Sequence, residues 1–303
     1  MASGKAAAWL EIGRPFSWTA SVVPVLVGSA LAWKDGAFSW PIFLAVLLAS
    51  VALQAGTNVI NELYDVKNRV DTLESPRASR ALVEGRLTER EAFWGGLALF
   101  GFVALVGLWL VALRGLPMLV LGVVGMLGGY FYTAPPFQYK YRALGVPLVF
   151  LLMGPLMVIG AYYALSGRYS DQALLASLPV GFLVAAILHA NDVRDVDDDA
   201  RTGFATLSTL VGQVTAAHLY VAMLALAYLV VVVLVALRAL PLWSLATLLV
   251  LPLAYGAVQT MEHGVRTSGG MAQLARIDQA TAQIHLLFGL LLALAFVLQR
   301  AVG

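Results

Sequence analysis

The chain is 303 residues long, 60% hydrophobic and 12% charged, with a mean hydropathy of +0.84 and a formal net charge of +2. Those values exclude an ordinary soluble domain and point to a polytopic membrane protein. The absence of cysteine excludes disulfides, thiolate metal ligands and cysteine nucleophiles.

The N-terminal stretch MASGKAAAWLEIGRPFSW lacks a basic segment leading into an apolar stretch and a small-residue cleavage site. No signal peptide is therefore expected. Nine apolar spans follow, at 16–33, 41–61, 93–113, 116–133, 145–165, 173–191, 214–237, 241–260 and 281–300. They predict an all-α bundle of about nine transmembrane helices, forming a single domain over residues 1–303. With the N-terminus in the cytoplasm, 14 of the 19 Lys and Arg residues fall on the cytoplasmic side. Lys34, Arg114, Arg168, Arg238 and Arg300 fall on the other side. The positive-inside rule thus predicts a multi-pass cell-membrane protein with its N-terminus inside. The acids are more lopsided still, with only Asp35 and Asp171 outside, and the orientation rule gives no reason for that bias. Cytoplasmic chemistry would account for it.

The second span runs into NVINELYDVKNRVD and the sixth into NDVRDVDDDARTGFATL. Both open with Asn-x-x-x-Asp, as Asn61 with Asp65 and Asn191 with Asp195, at an offset of 130 residues. Each continues to a further aspartate, Asp71 in the first and Asp199 in the second. This match suggests two four-helix halves followed by a ninth helix. An even number of spans between the motifs places both on one membrane side.

On a helix, Gln54, Asn58, Asn61 and Asp65 form one polar stripe. Amides can simply join transmembrane helices. A stripe ending in a carboxylate near the boundary fits a polar cavity open to the cytoplasm instead. In the second motif Asp192, Asp195 and Asp199 share a face if the helix continues, with Asn191 beside them, while Asp197 and Asp198 read as solvated. Clustered carboxylates demand counter-charge. With no His or Cys cluster to suggest zinc, Mg²⁺ with a phosphorylated substrate is the expected ligand.

Lys67, Arg77, Arg80, Lys140 and Arg201 are candidates to grip diphosphate oxygens, or else simple orientation determinants. The segment YFYTAPPFQYKYRALG clusters Tyr130, Tyr132, Tyr139 and Tyr141 around two prolines that break the helix. These rings form either an interfacial belt or walls that shield a carbocation. His189, His218 and His285 read as helix-interface residues and His263 as a loop residue. Asp278, Thr281 and His285 share a face of the last helix that could line a cavity.

RPFSWTASVVPVLVG, NELYDVKNRVD, YTAPPFQYKYRALG and NDVRDVDDDARTGFATLSTLVG resemble, in order and spacing, the UbiA superfamily of intramembrane prenyltransferases. The ten-residue step from Asn61 to Asp71, the YTAPP turn and the RDxxxD of Arg194 to Asp199 look most like its 1,4-dihydroxy-2-naphthoate polyprenyltransferase branch. Two positions depart from the pattern: Glu62 replaces an aspartate, and Phe204 stands where that branch carries lysine.

The resemblance implies an enzyme that uses Mg²⁺ to transfer a polyprenyl group from an allylic diphosphate to an aromatic acceptor in the membrane. For the naphthoate branch this is a step of menaquinone biosynthesis. It implies Asn61, Asp65, Asp71, Asn191, Asp192, Asp195 and Asp199 as metal ligands. Asp65, Asp195, Lys140 and Tyr132 are expected at the reacting centre, and Gln54, Asn58, Tyr139 and Tyr141 around the prenyl chain and acceptor. The expected partners are the two substrates and the bilayer; no nucleic acid is expected and no protein partner is evident. Rival acceptors are 4-hydroxybenzoate, homogentisate, a haem or chlorophyll precursor and a glycerol ether lipid. A rival of another class is a secondary transporter, which would place charges near the midplane of an inverted repeat.

Overall fold

The computed structural model describes residues 2–70, 80–267 and 270–302. Its elements are α1 (Ala2–Gly13), α2 (Thr19–Lys34), α3 (Trp40–Lys67), α4 (Glu89–Arg114), α5 (Leu116–Tyr130), α6 (Gly145–Ser166), α7 (Asp171–Arg194), α8 (Val196–Thr202), α9 (Gln213–Ala236), α10 (Leu242–Arg266) and α11 (Ile277–Val302). Single helical turns lie at Arg80–Val83 and Leu207–Val211. Among the described residues, pairing of the strand type is confined to an isolated bridge between Arg142 and Ala205. Eight helical segments, counting α1 with α2, are long and apolar enough to cross a membrane, and α5 is a shorter apolar ninth. The nine predicted spans correspond to these nine segments.

Several boundaries move outward. Helix α3 runs on to Lys67 and α4 begins at Glu89, because polar residues end a hydropathy window without ending a helix. At the start of α4 a capping box supplies the reason: the Thr88 hydroxyl accepts from the Glu91 amide at 3.1 Å, and the Glu91 carboxylate accepts from the Thr88 amide at 2.9 Å. At the second motif the predicted continuous helix is broken. Helix α7 ends at Arg194, Asp195 is the joint with φ −100° and ψ 10°, and α8 starts at Val196. Asp192, Asp195 and Asp199 therefore belong to two helices rather than one face.

Helix α7 is central, with 67% of its apolar window buried, whereas α4 has 17% buried and lies at the rim. Leu105 and Leu108 on α4 are 70% and 61% exposed, a surface that suits lipid. The main core joins α2, α6, α7, α9 and α11 through residues such as Val27, Tyr162, Leu183, Tyr220 and Phe288. Small residues permit this packing. A Cβ on Gly28 would stand 2.4 Å from the Val158 carbonyl oxygen, and one on Gly154 would stand 2.6 Å from Gly181 Cα. Gly154→Val must therefore push α6 and α7 apart. We expect a lower thermal midpoint in detergent, equivalent to about 1–3 kcal/mol. An unchanged midpoint would contradict this packing.

Helix α6 widens into a π turn at Leu152–Leu156, where Pro155 cannot donate an amide hydrogen bond. Leu152, Met153 and Leu156 from this turn line the central cavity. The irregularity thus shapes its apolar wall.

Candidate active site

The polar stripe of α3 is one wall of that cavity. Gln54 donates to Asn58 Oδ1 at 3.4 Å and accepts from the Ser21 hydroxyl at 3.5 Å. Asn58 donates to the Gly13 carbonyl and to Ser17 Oγ, each at 3.0 Å, which pins the turn between α1 and α2 against α3. Arg14 sits in that turn with left-handed backbone (φ 48°), lines the cavity and pairs with the fully buried Glu62 at 3.0 Å.

The Asp65 end of the stripe meets Lys140. The chain leaving α5 doubles back, with the Lys140 amide donating to the Tyr132 carbonyl at 2.9 Å and the Tyr139 hydroxyl to the Gly128 carbonyl at 2.5 Å. This return carries Lys140 Nζ to 2.7 and 2.8 Å from the two Asp65 oxygens and 3.2 Å from Asn61 Oδ1. The Tyr141 hydroxyl donates to Asp65 Oδ1 at 2.5 Å. Asp65 is only 3% exposed. An ionised carboxylate so placed needs such partners.

Opposite, α7 presents Asn191 to the cavity and Asp192 beside it. Asp192 is 7% exposed. Asp195 is held by Arg194 in a two-pronged contact, Nε to Oδ1 at 2.8 Å and Nη2 to Oδ2 at 2.6 Å. Arg194 also reaches Asp278 of α11 at 2.7 Å and Asn191 Oδ1.

The two motifs face each other electrostatically. Burial pushes the Asp199 carboxyl up to about 6; Lys140 pulls it down, while Asp195 and Asp65 push it further up. Tyr132 lies within reach of the charges of both Asp192 and Asp65. Residues 130 positions apart in sequence thus share one electrostatic environment.

The oxygen-only donors Asn61, Asp65, Asn191, Asp192, Asp195 and Asp199 suit Mg²⁺, and Asp65 and Asp192 among them are buried. Among the described residues no three carboxylates or histidines stand close enough to form a closed cage. Mg²⁺ takes few carboxylates and completes its shell with water and phosphate oxygens, so an open arrangement fits it.

Not every residue singled out in the sequence joins this site. Asp71 and Arg77 lie outside the described residues. Lys67 is exposed, 3.8 Å from Glu89 and over the Tyr64 ring, because residues two apart on a helix point to opposite sides and Asp65 faces inward. Arg80 is exposed and pairs with Glu84 at 3.3 Å; Arg201 is exposed and pairs with Asp198. None of these three lines the cavity. Tyr132 and Tyr139 do line it, as do Gln54 and Asn58, whereas Tyr141 is a partner of Asp65. His189 is buried with Nε2 2.8 Å from the Ala216 carbonyl, and His285 is buried without a hydrogen bond among the described residues.

Sequence reasoning missed Arg14 and Ser17 as cavity residues and Arg194 as the clamp on Asp195. Arg14 and Ser17 lie in the RPFSWTASVVPVLVG stretch that carries the family resemblance but were given no role there, and Arg194 adjoins Asp195 directly. Away from the motifs the lining is apolar, with Leu53, Met157, Val184 and Ile187. A cationic and anionic mouth over an apolar chamber can hold a diphosphate head and a hydrocarbon tail together.

The UbiA prenyltransferase family model matches residues 21–268. The chain is 32% identical over 288 residues to the 1,4-dihydroxy-2-naphthoate octaprenyltransferase of Bacillus subtilis strain 168, covering 95% of this chain and 91% of that protein. It is 31% identical over 301 residues to the UbiA prenyltransferase domain-containing protein 1 of Gallus gallus, covering 98% and 86%. A solved structure of a UbiA homolog from Archaeoglobus fulgidus bound to GPP and Mg²⁺ matches with a TM-score of 0.64 at 21% identity, over 96% of this chain and 99% of that one.

Proposed function

This chain belongs to the UbiA prenyltransferase family, and we propose that it prenylates 1,4-dihydroxy-2-naphthoate with a polyprenyl diphosphate, using Mg²⁺, at the cytoplasmic face of the membrane. The observation that carries the reading is Lys140, held on Asp65 and Asn61 at the mouth of the apolar cavity and within reach of Asp199. The naphthoate acceptor is favoured by the 32% identity to a naphthoate octaprenyltransferase across 95% of the chain. The cytoplasmic placement is supported by the 14-to-5 split of Lys and Arg between the two sides, read by the positive-inside rule.

Asn61, Asp65, Asn191, Asp192, Asp195 and Asp199 are the residues that would hold the metal. Bound there, Mg²⁺ supplies positive charge to the diphosphate oxygens as negative charge builds on them. Lys140 adds a point charge from the same side. The allylic C–O bond breaks with its electron pair leaving on the diphosphate. Tyr132, Tyr139 and the apolar wall of α6 keep water from the allylic cation, which water would otherwise quench. A ring carbon of the naphthoate attacks the cation, and loss of its carboxyl carbon as carbon dioxide restores aromaticity. The prenyl tail remains among apolar helices or in lipid, which gives a membrane bundle its use here.

Two outcomes test this. Chelation of divalent cations is expected to lower diphosphate release by at least about a hundredfold, with Mg²⁺ restoring it; full activity in excess chelator would contradict the metal reading. Purified protein offered geranylgeranyl diphosphate and a panel of acceptors should yield a prenylated, decarboxylated naphthalenediol by mass spectrometry. Turnover of 4-hydroxybenzoate or of a glycerol ether lipid alone would reassign the acceptor.

A further inference from the structure

Asp65 is oriented by an aromatic clasp that lies outside both aspartate motifs. The Tyr141 hydroxyl donates to Asp65 Oδ1 at 2.5 Å, and its ring is stacked on Phe204, with centroids 4.3 Å apart and planes inclined by 30°. Tyr141 is only 8% exposed, and Lys140 Nζ lies over the same ring at 5.4 Å. Phe204 comes from the other half of the sequence, just past α8. Gly203, at φ +75°, turns the chain there.

The backbone locks this stack in register. The Ala205 amide donates to the Tyr141 carbonyl at 3.3 Å, and the Ala143 amide donates to the Ala205 carbonyl at 2.7 Å, flanking the bridge between Arg142 and Ala205. The next residue, Thr206, caps the turn Leu207–Val211, its hydroxyl accepting from the Thr209 amide at 3.3 Å. One short segment, Asp199 to Thr206, therefore carries a carboxylate of the second motif at one end and a ring braced against the first motif at the other. A phenol rotates about its side-chain torsions unless its ring is pinned, and a hydrogen bond to a carboxylate fixes direction only when the donor is fixed.

We propose that Phe204 is a positioning residue for prenyl transfer: stacked on Tyr141, it holds the Tyr141 hydroxyl on Asp65 and couples the orientation of that carboxylate to the segment bearing Asp199. The inference rests on the reading that Asp65 belongs to the reaction site. It places the effect of Phe204 on the chemical step, with acceptor binding left to the cavity beyond.

The test uses the full chain in lipid nanodiscs, following diphosphate release from farnesyl diphosphate with dihydroxynaphthoate and Mg²⁺. Phe204→Leu is expected to lower kcat by roughly tenfold while leaving KM for the acceptor within about twofold, as a small misplacement of a reacting group does. Phe204→Tyr, which keeps the ring, should retain wild-type kcat. On a Tyr141→Phe background, Phe204→Leu should cause little further loss, because the hydroxyl it serves is gone. Wild-type kcat in Phe204→Leu, or equal losses with and without the Tyr141 hydroxyl, would overturn the proposal. Should Phe204→Leu fail to fold, Phe204→Met is read by the same outcomes. Asp65→Asn is measured in parallel. Full activity there overturns the site reading and this inference together, whereas loss there with Phe204→Leu unaffected overturns this inference alone.

Discussion

Asp65→Asn is expected to reduce diphosphate release from an allylic diphosphate by about a thousandfold or more, with the protein still inserted and folded. The substitution changes charge and hardly changes shape. Asparagine can still accept from the Tyr141 hydroxyl at the position where Oδ1 now does at 2.5 Å, and Tyr141 itself stays packed on Phe204. What is lost is the negative charge, which both balances Lys140 and would draw a divalent cation to the mouth of the cavity. The check is steady-state kinetics across Mg²⁺ concentrations, together with a thermal melt in the same detergent. A variant that melts like wild type and turns over at wild-type rate would remove Asp65 from the mechanism.

Lys140→Met is the second large effect. Lys140 is half of a buried ion pair, its side chain 17% exposed and that of Asp65 4%. Removing one partner of such a pair leaves an uncompensated charge and costs about 3–5 kcal/mol of stability when nothing replaces it. The Tyr141 hydroxyl remains on Asp65 to soften that cost here, while Asn61 Oδ1 loses its Lys140 donor as well. Catalysis suffers more directly. A methionine of similar length preserves the return loop but removes the point charge, and kcat should fall by about a hundredfold or more, as when one donor to a developing oxyanion is lost. Added Mg²⁺ should recover the thermal midpoint in part, because a divalent ion can replace the missing counter-charge at Asp65. Recovery of kcat to wild-type level by Mg²⁺ alone would show that Lys140 only neutralises Asp65.

The sequence made the architecture readable because the bilayer imposes a length of about 20 apolar residues on each crossing. It made the stripe from Gln54 to Asp65 readable because that stripe lies within one uninterrupted helix, where spacing is geometry. The same rule misled at Asp192, Asp195 and Asp199, since the helix breaks at Asp195 and Arg194 turns back to hold that carboxylate. It also gave too much weight to Lys67, Arg80 and Arg201, which are near the motifs in sequence but point away from the cavity. Lys140 was placed at the reacting centre, yet only the folded loop reveals that it reaches Asp65 and Asn61 across 75 and 79 residues. Phe204 was visible only as a departure from the family pattern. Its contact with Tyr141 depends on pairing between two loops, which no local periodicity encodes.

The central claim is that two motifs 130 residues apart act as one metal–diphosphate site. The measurement closest to it is anomalous scattering from crystals of the full chain grown with Mn²⁺ and a non-reactive thiolodiphosphate analogue of the allylic substrate. The predicted result is metal density flanked by Asp65 of α3 on one side and by Asp192 or Asp199 on the other, with Lys140 on a diphosphate oxygen. Metal bound by one motif alone, or a diphosphate seated away from Lys140 and Asp65, would contradict it.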